Sequence, residues 1–162
     1  RATKKLEVSI PAGIDDGQGI ALRGEGSDGR NGGPAGDLTI SVNVRPHAFF
    51  ERDGYDIYCD VPVTFADAAL GADLQVPTID GSETLHIPEG TQTGTTFTLK
   101  NKGVQVVNSK NRGNMYITVV VEVPKGLNGK QKDLLRQFHE SCGSNNHSKR
   151  EKFMKKFFRK DS

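Results

Sequence analysis

The chain has no tryptophan, only two cysteines in 162 residues, and no apolar run near the roughly 20 residues that a membrane-spanning helix needs. Cys59 and Cys142 stand far apart and outside any C-x-x-C pair, so neither a disulfide framework nor a zinc site is signalled. Free thiols and the lack of a recognisable signal peptide fit a reducing cytoplasm. Catalytic motifs are missing too: there is no G-x-S-x-G, no P-loop and no H-E-x-x-H. His47, His86, His139 and His147 have no ligand-spaced neighbours and read as surface or turn histidines. Without a nucleophile–base pair, a hydrolase on a β-sandwich is disfavoured, and the chain reads as a non-enzyme. It opens on Arg1 rather than Met and reads as a fragment of a longer protein.

What is present is turn chemistry. Nineteen Gly and seven Pro accompany a hydrophobic content of 34%, lean but sufficient for two thin β cores. The net charge of +2 hides an asymmetry. Residues 149–160 carry seven Lys/Arg against one Glu, a local +6 that leaves −4 for the rest.

The second half of the chain repeats the first at an offset of 77. Ile10, Pro11, Gly13, Gly17, Leu22, Gly26, Asn31, Gly36, Ile40, Val42 and Val44 recur as Ile87, Pro88, Gly90, Gly94, Leu99, Gly103, Asn108, Gly113, Ile117, Val119 and Val121. Turn glycines and alternating apolar residues set backbone geometry rather than chemistry. The pattern predicts two copies of one β module that present a surface.

Leu6, Val8 and Ile10 alternate with polar residues and predict a strand ending at Pro11. Ile20-Ala21-Leu22 reads as a second strand, and the glycine-dense stretch from Gly24 to Gly36 as a loop. Leu38, Ile40, Val42 and Val44 alternate as a half-buried strand. Arg45-Pro46-His47 breaks that pattern and marks a boundary. Ile57, Cys59, Val61 and Val63 read as a strand, and Thr64 to Leu70 as a short capped helix stopped by Gly71. Asp80-Gly81 predicts a hairpin turn. The second copy runs through Phe97-Thr98-Leu99 into a strand from Met115 to Val123. Beyond Pro124 the period changes. Leu134, Leu135 and Phe138 share a helical stripe that follows an N-cap residue at Asn128. Phe153, Met154, Phe157 and Phe158 follow among Lys and Arg, as an amphipathic helix or a hook.

Gly24-Glu25-Gly26 leads into more loop rather than into a helix, which argues against phosphate binding. Asp15, Asp16, Asp28 and Asp37 read as turn formers. The basic tail admits self-association, docking within the chain, or contact with membrane or nucleic acid. Its large apolar residues on one face favour self-association over the others. The alternating strand at Leu38–Val44 reads either as a plain core face or as a surface that receives an extended peptide as an added strand.

Several motifs in order resemble the C-terminal region of the DnaJ-type J-domain co-chaperones. They include Val8-Ser9-Ile10-Pro11-Ala12-Gly13, Arg23-Gly24-Glu25-Gly26 and Gly32-Gly33-Pro34-Ala35-Gly36-Asp37-Leu38. Arg45-Pro46-His47, Phe50-Glu51-Arg52-Asp53-Gly54, Ala68-Ala69-Leu70-Gly71, Val76-Pro77-Thr78 and Pro88-Glu89-Gly90-Thr91-Gln92-Thr93-Gly94 continue the series. The likeness runs over about residues 5–141.

The resemblance implies a mainly β chain: two tandem small β-sandwich-like domains, the first partial, followed by a C-terminal dimerisation helix. The expected spans are 1–45, 46–123 and 124–162. It implies binding of unfolded or misfolded polypeptide as an added strand, with an apolar pocket that matches Leu6 and Ile40, and Leu22 beside them. It implies a homodimer through Leu127, Leu134, Leu135 and Phe138, with Phe153, Met154, Phe157 and Phe158 of the tail. In the full protein, clients pass to a DnaK-type ATPase chaperone. The family's His-Pro-Asp signature and its C-x-x-C-x-G-x-G zinc repeats are absent here. Stimulation of ATP hydrolysis, zinc, nucleic acid and membrane are therefore not expected of this chain. The competing reading is a purely structural assembly module that dimerises and binds no client.

Overall fold

The computed structural model describes residues 3–159. The chain divides into two compact units, Arg1–Val123 and Pro124–Ser162. The first unit is β-rich. Its strands are β1 (Gly19–Leu22), β2 (Leu38–Ser41), β3 (Glu51–Asp53), β4 (Asp56–Thr64), β5 (Ala72–Thr78), β6 (Gly81–Ile87), β7 (Thr96–Leu99) and β8 (Met115–Glu122). One short helix, α1 (Phe65–Leu70), lies between β4 and β5. The fold class is thus mainly β with several sheets, followed by C-terminal helices, as the sequence predicts.

The strands form three sheets: β1-β2, β3-β4-β8-β7 and the β5-β6 hairpin. The β4–β8 pair is parallel, with Ile57 opposite Met115 and Val63 opposite Val121, while the other ladders are antiparallel. Alternation along β4 and β8 sends Ile57, Cys59 and Val63, with Met115, Ile117 and Val119, to one side. There they meet Ala68 of α1, Val76 of β5 and Leu85 and Ile87 of β6, and this is the core of the unit. Thr64 caps α1 by accepting the Asp67 N–H at 3.0 Å, and Gly71 ends it at a φ of 79°.

The repeat holds at the level of single hydrogen bonds. β1 and β2 lie 77 residues before β7 and the start of β8, with the same pairing: Gly19 opposite Ser41, and Thr96 opposite Thr118. The Gly17 N–H donates to Val42 O at 2.8 Å, and the Gly94 N–H to Val119 O at 2.8 Å. The Gly26 N–H donates to Gly36 O, and the Gly103 N–H to Gly113 O. The Asp16 carboxylate accepts the Val44 N–H, where Thr93 Oγ1 accepts that of Val121. Asn31 and Asn108 share the left-handed region at φ 54° and 58°, which asparagine tolerates better than most residues. The repeated glycines and asparagines therefore mark the positions where one turn geometry recurs, while Asp16 and Thr93 fill one acceptor role with different side chains.

One predicted strand is corrected. Leu6–Ile10 alternates as a strand should, yet it joins no ladder. Its counterpart at the 77 offset is β6, which pairs with β5 along its whole length. A strand exists only with a partner, and among the described residues the first copy holds no equivalent of β5.

In the second unit, α2 (Gly129–Ser141) opens with a capping box at Asn128 and Gln131, whose side chains bond each other's backbone N–H at 2.9 Å. A 3₁₀ turn over Ser144–Asn146 leads into α3 (Ser148–Arg159). The tail is a helix rather than a hook.

Candidate functional site

Of the residues that the sequence singles out for polypeptide binding, Leu22 and Ile40 stand in one two-stranded sheet. Leu22 pairs with Leu38, and Ile40 with Ile20. All four are half-buried and alternate with exposed Gly19, Ala21, Thr39 and Ser41, so they form one apolar face. Leu6 is also half-buried, in the extended segment outside the ladder. Lys4 in that segment pairs with Glu25 of the Gly24–Gly36 loop. On the same face of the second copy Met115, Ile117 and Val119 are 0% exposed, while Phe97 and Leu99, the counterparts of Ile20 and Leu22, stay half-buried.

The other edge of β2 meets no strand among the described residues. The Val42 N–H donates to Gln18 O at 2.9 Å, as the Val119 N–H does to Thr95 O at 3.0 Å, so these residues turn their backbone toward β1 and β7 respectively. Their neighbours face the other way, because backbone groups alternate along a strand. In β8 those neighbours meet β4, but in β2 they meet no strand among the described residues.

The copies interlock at one place that sequence reasoning missed. The Arg52 guanidinium donates to Gly13 O and Ile14 O at 2.7 Å each, and its Nε to Gly54 O at 2.7 Å. Asp15 lies 3.6 Å from that Nε. Gly13 itself is a steric necessity, since a Cβ there would sit 1.7 Å from Gln105 O. Arg52 is part of a sequence motif, but contacts 38 and 39 residues away leave no local signal. Beside this junction lies an open groove of about 560 Å³, lined by Ser9, Pro11, Ile14, Ile20, Tyr55 and Val107 among others.

Of the aspartates read as turn formers, Asp15 accepts the neighbouring Asp16 N–H at 2.7 Å, whereas Asp37 and Asp16 reach farther, accepting the Gly24 N–H at 3.0 Å and the Val44 N–H at 2.8 Å. His86 bonds Asp73 across the β5–β6 ladder, and His47 stacks on Phe50 and meets Phe49 edge-on. Among the described residues no three His, Cys, Asp or Glu side chains gather as a metal site. The sulfur ligands that zinc favours do not fit either, because Cys59 is buried in the β core. Burial, with Asp60 adding to it, pushes the Cys59 thiol above its ordinary range and keeps it protonated and unreactive. On the outer face of the large sheet Tyr58 stacks on Tyr116 at 5.1 Å. Desolvation, then Asp56 and Asp53, raise the Tyr58 phenol above its usual value.

The residues singled out for dimerisation lie in a unit with no interior of its own. No residue of α2 or α3 is buried. Leu134, Leu135 and Phe138 are exposed on α2, Phe153, Phe157 and Phe158 are exposed on α3, and Leu127 and Met154 are half-buried. Lys149, Lys152, Lys155 and Lys156 gather around Phe153 along α3. No described helix is long and apolar enough to cross a membrane.

Comparison with known proteins accounts for this arrangement. Residues 1–124 match the model of the DnaJ C terminal domain, and residues 130–160 that of the Chaperone protein DnaJ C-terminal region. The chain is 54% identical over 156 residues, 96% of its length, to the Chaperone protein DnaJ of Acetivibrio thermocellus, of which it covers 40%. It is 54% identical over 156 residues to that of Clostridioides difficile, covering 96% of this chain and 41% of that one. With Bacillus velezensis the figures are 55% over 141 residues, 87% of this chain and 38% of the relative. The chain thus spans about two fifths of the length of the curated relatives it matches. On the family-model match over residues 1–124 and on these identities, it belongs to the DnaJ C-terminal domain family.

Proposed function

We propose that this chain is the polypeptide-binding and dimerisation part of a DnaJ-type co-chaperone. In this reading it binds unfolded or misfolded polypeptide on the apolar face of its first copy and carries out no turnover. As part of a longer cytoplasmic protein, it presents clients to a DnaK-type ATPase chaperone. It needs no cofactor and engages neither nucleic acid nor membrane. The observation that carries the reading is the half-buried row of Leu38, Ile40 and Val42, whose counterparts Met115, Ile117 and Val119 in the second copy are 0% exposed; Leu22 pairs with Leu38. Leu6 joins this site on the resemblance. An apolar side chain that enters such a face gains roughly 1.5–3 kcal/mol when fully buried, little enough for reversible holding.

The dimer rests on a separate argument. Neither amphipathic helix has a buried residue, and the large exposed apolar side chains along them offer a face that a second protomer would cover. Leu127, Leu134, Leu135 and Phe138 of the α2 region, with Phe153 and Phe157 of α3, form that contact. Dimerisation suits a weak binder, because two sites on one scaffold gain avidity through effective concentration.

An amide NMR titration with an extended leucine-containing peptide tests the binding role. Shifts are expected around Leu6, Leu22 and Ile40. Shifts confined to residues 46–123 or to the tail move the site elsewhere, and silence at millimolar peptide leaves only an assembly scaffold. For the dimer, the double variant Leu134→Asp, Phe138→Asp is expected to have a monomer mass in light scattering, and a retained dimer mass removes both residues from the interface.

A further inference from the structure

We propose that the lysine face of α3 docks an acidic segment of a partner polypeptide. This goes beyond the polypeptide-binding reading. It rests on the dimer reading in one respect, that a second protomer covers the opposite face of the helix.

Helical spacing separates the two faces. Phe153 and Phe157 stand four residues apart, as do Met154 and Phe158, and the two pairs lie side by side. Lys149, Lys152 and Lys156 follow at spacings of three and four, with Lys155 and Arg159 four apart beside them, on the other side of the helix. Among the described residues, Arg150 is the cation that falls on the apolar side. Lys149, Lys152, Lys155, Lys156 and Arg159 are all exposed, and with Phe153 they line an open groove of about 520 Å³.

Such a face works against its own helix. Like charges three or four apart repel, as in Lys149–Lys152, Lys152–Lys156 and Lys155–Arg159. Glu151 is the one acid in α3, and among the described residues none of the four lysines forms an ion pair. Lys149 and Arg150 also stand in the first turn, where the helix dipole favours acids. An anionic partner removes this repulsion, so docking and helix stability reinforce each other.

Charge and length select the partner. α3 has 12 residues, an axis of about 18 Å. A short run of carboxylates fits its charge within that span. A nucleic acid duplex carries about one charge per 1.7 Å along its whole length. Beyond the helix it meets a chain whose other residues sum to −4, since residues 149–160 hold +6 of the net +2. An anionic membrane draws in an amphipathic helix by its apolar face, and in the dimer that face is taken. The contact expected is electrostatic: fast to form, weak and sensitive to salt.

The test is fluorescence anisotropy of a short labelled peptide of alternating glutamate and glycine, titrated with the full chain. This probe has no apolar side chain and so does not report on the Ile40 face. A Kd of about 10–100 μM is expected at about 0.15 M salt, weakening at least about tenfold at about 0.5 M. The double variant Lys152→Gln, Lys156→Gln is expected to bind at least about tenfold more weakly and to keep the light-scattering mass of the unaltered chain. Lys100→Gln, Lys110→Gln removes the same charge from exposed positions outside α3 and is expected to stay within about twofold. Equal weakening in the two double variants, binding confined to low salt, or no binding overturns the proposal. An oligonucleotide of equal charge that binds more tightly at the same salt gives the face to nucleic acid instead. Co-sedimentation of the chain with phosphatidylglycerol vesicles gives it to a membrane. Either result overturns the proposal. A monomer mass for the unaltered chain removes the dimer reading, while the two double variants still decide this one.

Discussion

The two copies of the β module share their turns, their register and several individual hydrogen bonds, and they differ in what covers them. Ile87, Met115, Ile117 and Val119 are 0% exposed, whereas Ile10 is 64% exposed and Leu38, Ile40 and Val42 are half-buried. The difference does not arise inside the repeat, since those positions carry Ile, Leu, Ile and Val in the first copy and equally apolar residues in the second. It arises from β4, α1 and β5, which have no counterpart in the first copy among the described residues. The same apolar pattern thus makes a fully buried core where neighbouring elements cover it and a half-buried face where none does among the described residues.

Truncating equivalent residues breaks this comparison most sharply. Ile117→Ala removes a fully buried side chain and is expected to cost about 2–5 kcal/mol in urea unfolding. Ile40→Ala, half-exposed, is expected to cost about 1 kcal/mol while weakening peptide binding. Equal costs would mean that the first copy is covered in solution. The next pair separates turn geometry from close packing. Gly90 has open space around it, so Gly90→Ala meets only its φ of 78° and is expected to cost about 1 kcal/mol. Gly13→Ala also collides with Gln105 O and is expected to cost at least about 2 kcal/mol more in the same assay.

Much of this architecture is legible in the sequence. Asp80-Gly81, Thr64, Asn128 and the left-handed asparagines act within a few residues of themselves, so turns, caps and the repeat follow from local rules. The parallel pairing of β4 with β8 does not, because Ile57 and Met115 are 58 residues apart and either strand alone reads the same with another partner. The Leu6–Ile10 prediction fails for that reason: alternation reports a side-chain pattern and says nothing about a partner. For the site, Ile40 and Leu22 are placed by alternation together with a resemblance. Arg52 and the second task of Gly13 depend on contacts that only the folded chain creates.

Smaller effects sharpen the contrast. Asp16→Ala and Thr93→Ala remove equivalent side-chain acceptors and are each expected to cost about 0.5–1.5 kcal/mol by urea unfolding, nearly the same in both copies. The smallest concerns Cys59. Its thiol is held above the ordinary range in the folded chain, so the unfolded chain gives up its proton first as pH rises. Stability from this group is complete below the ordinary thiol range and declines as pH passes through it. Urea midpoints measured at rising alkaline pH are expected to fall less steeply in Cys59→Ala. Alkylation under native conditions should modify Cys142 well before Cys59.

Native-state amide exchange at Ser41 and Thr118 tests the central claim most directly. These residues are 77 apart and occupy equivalent positions, and β4 lies beside Thr118 while no strand lies on that side of Ser41 among the described residues. The account expects the Thr118 amide to exchange at least about a thousandfold more slowly than that of Ser41, a difference of about 4 kcal/mol in opening free energy, and expects Ser41 to gain protection when a strand-forming peptide binds. Equal protection of the two amides in the free chain would show that the edge of β2 is already occupied, and would contradict the account.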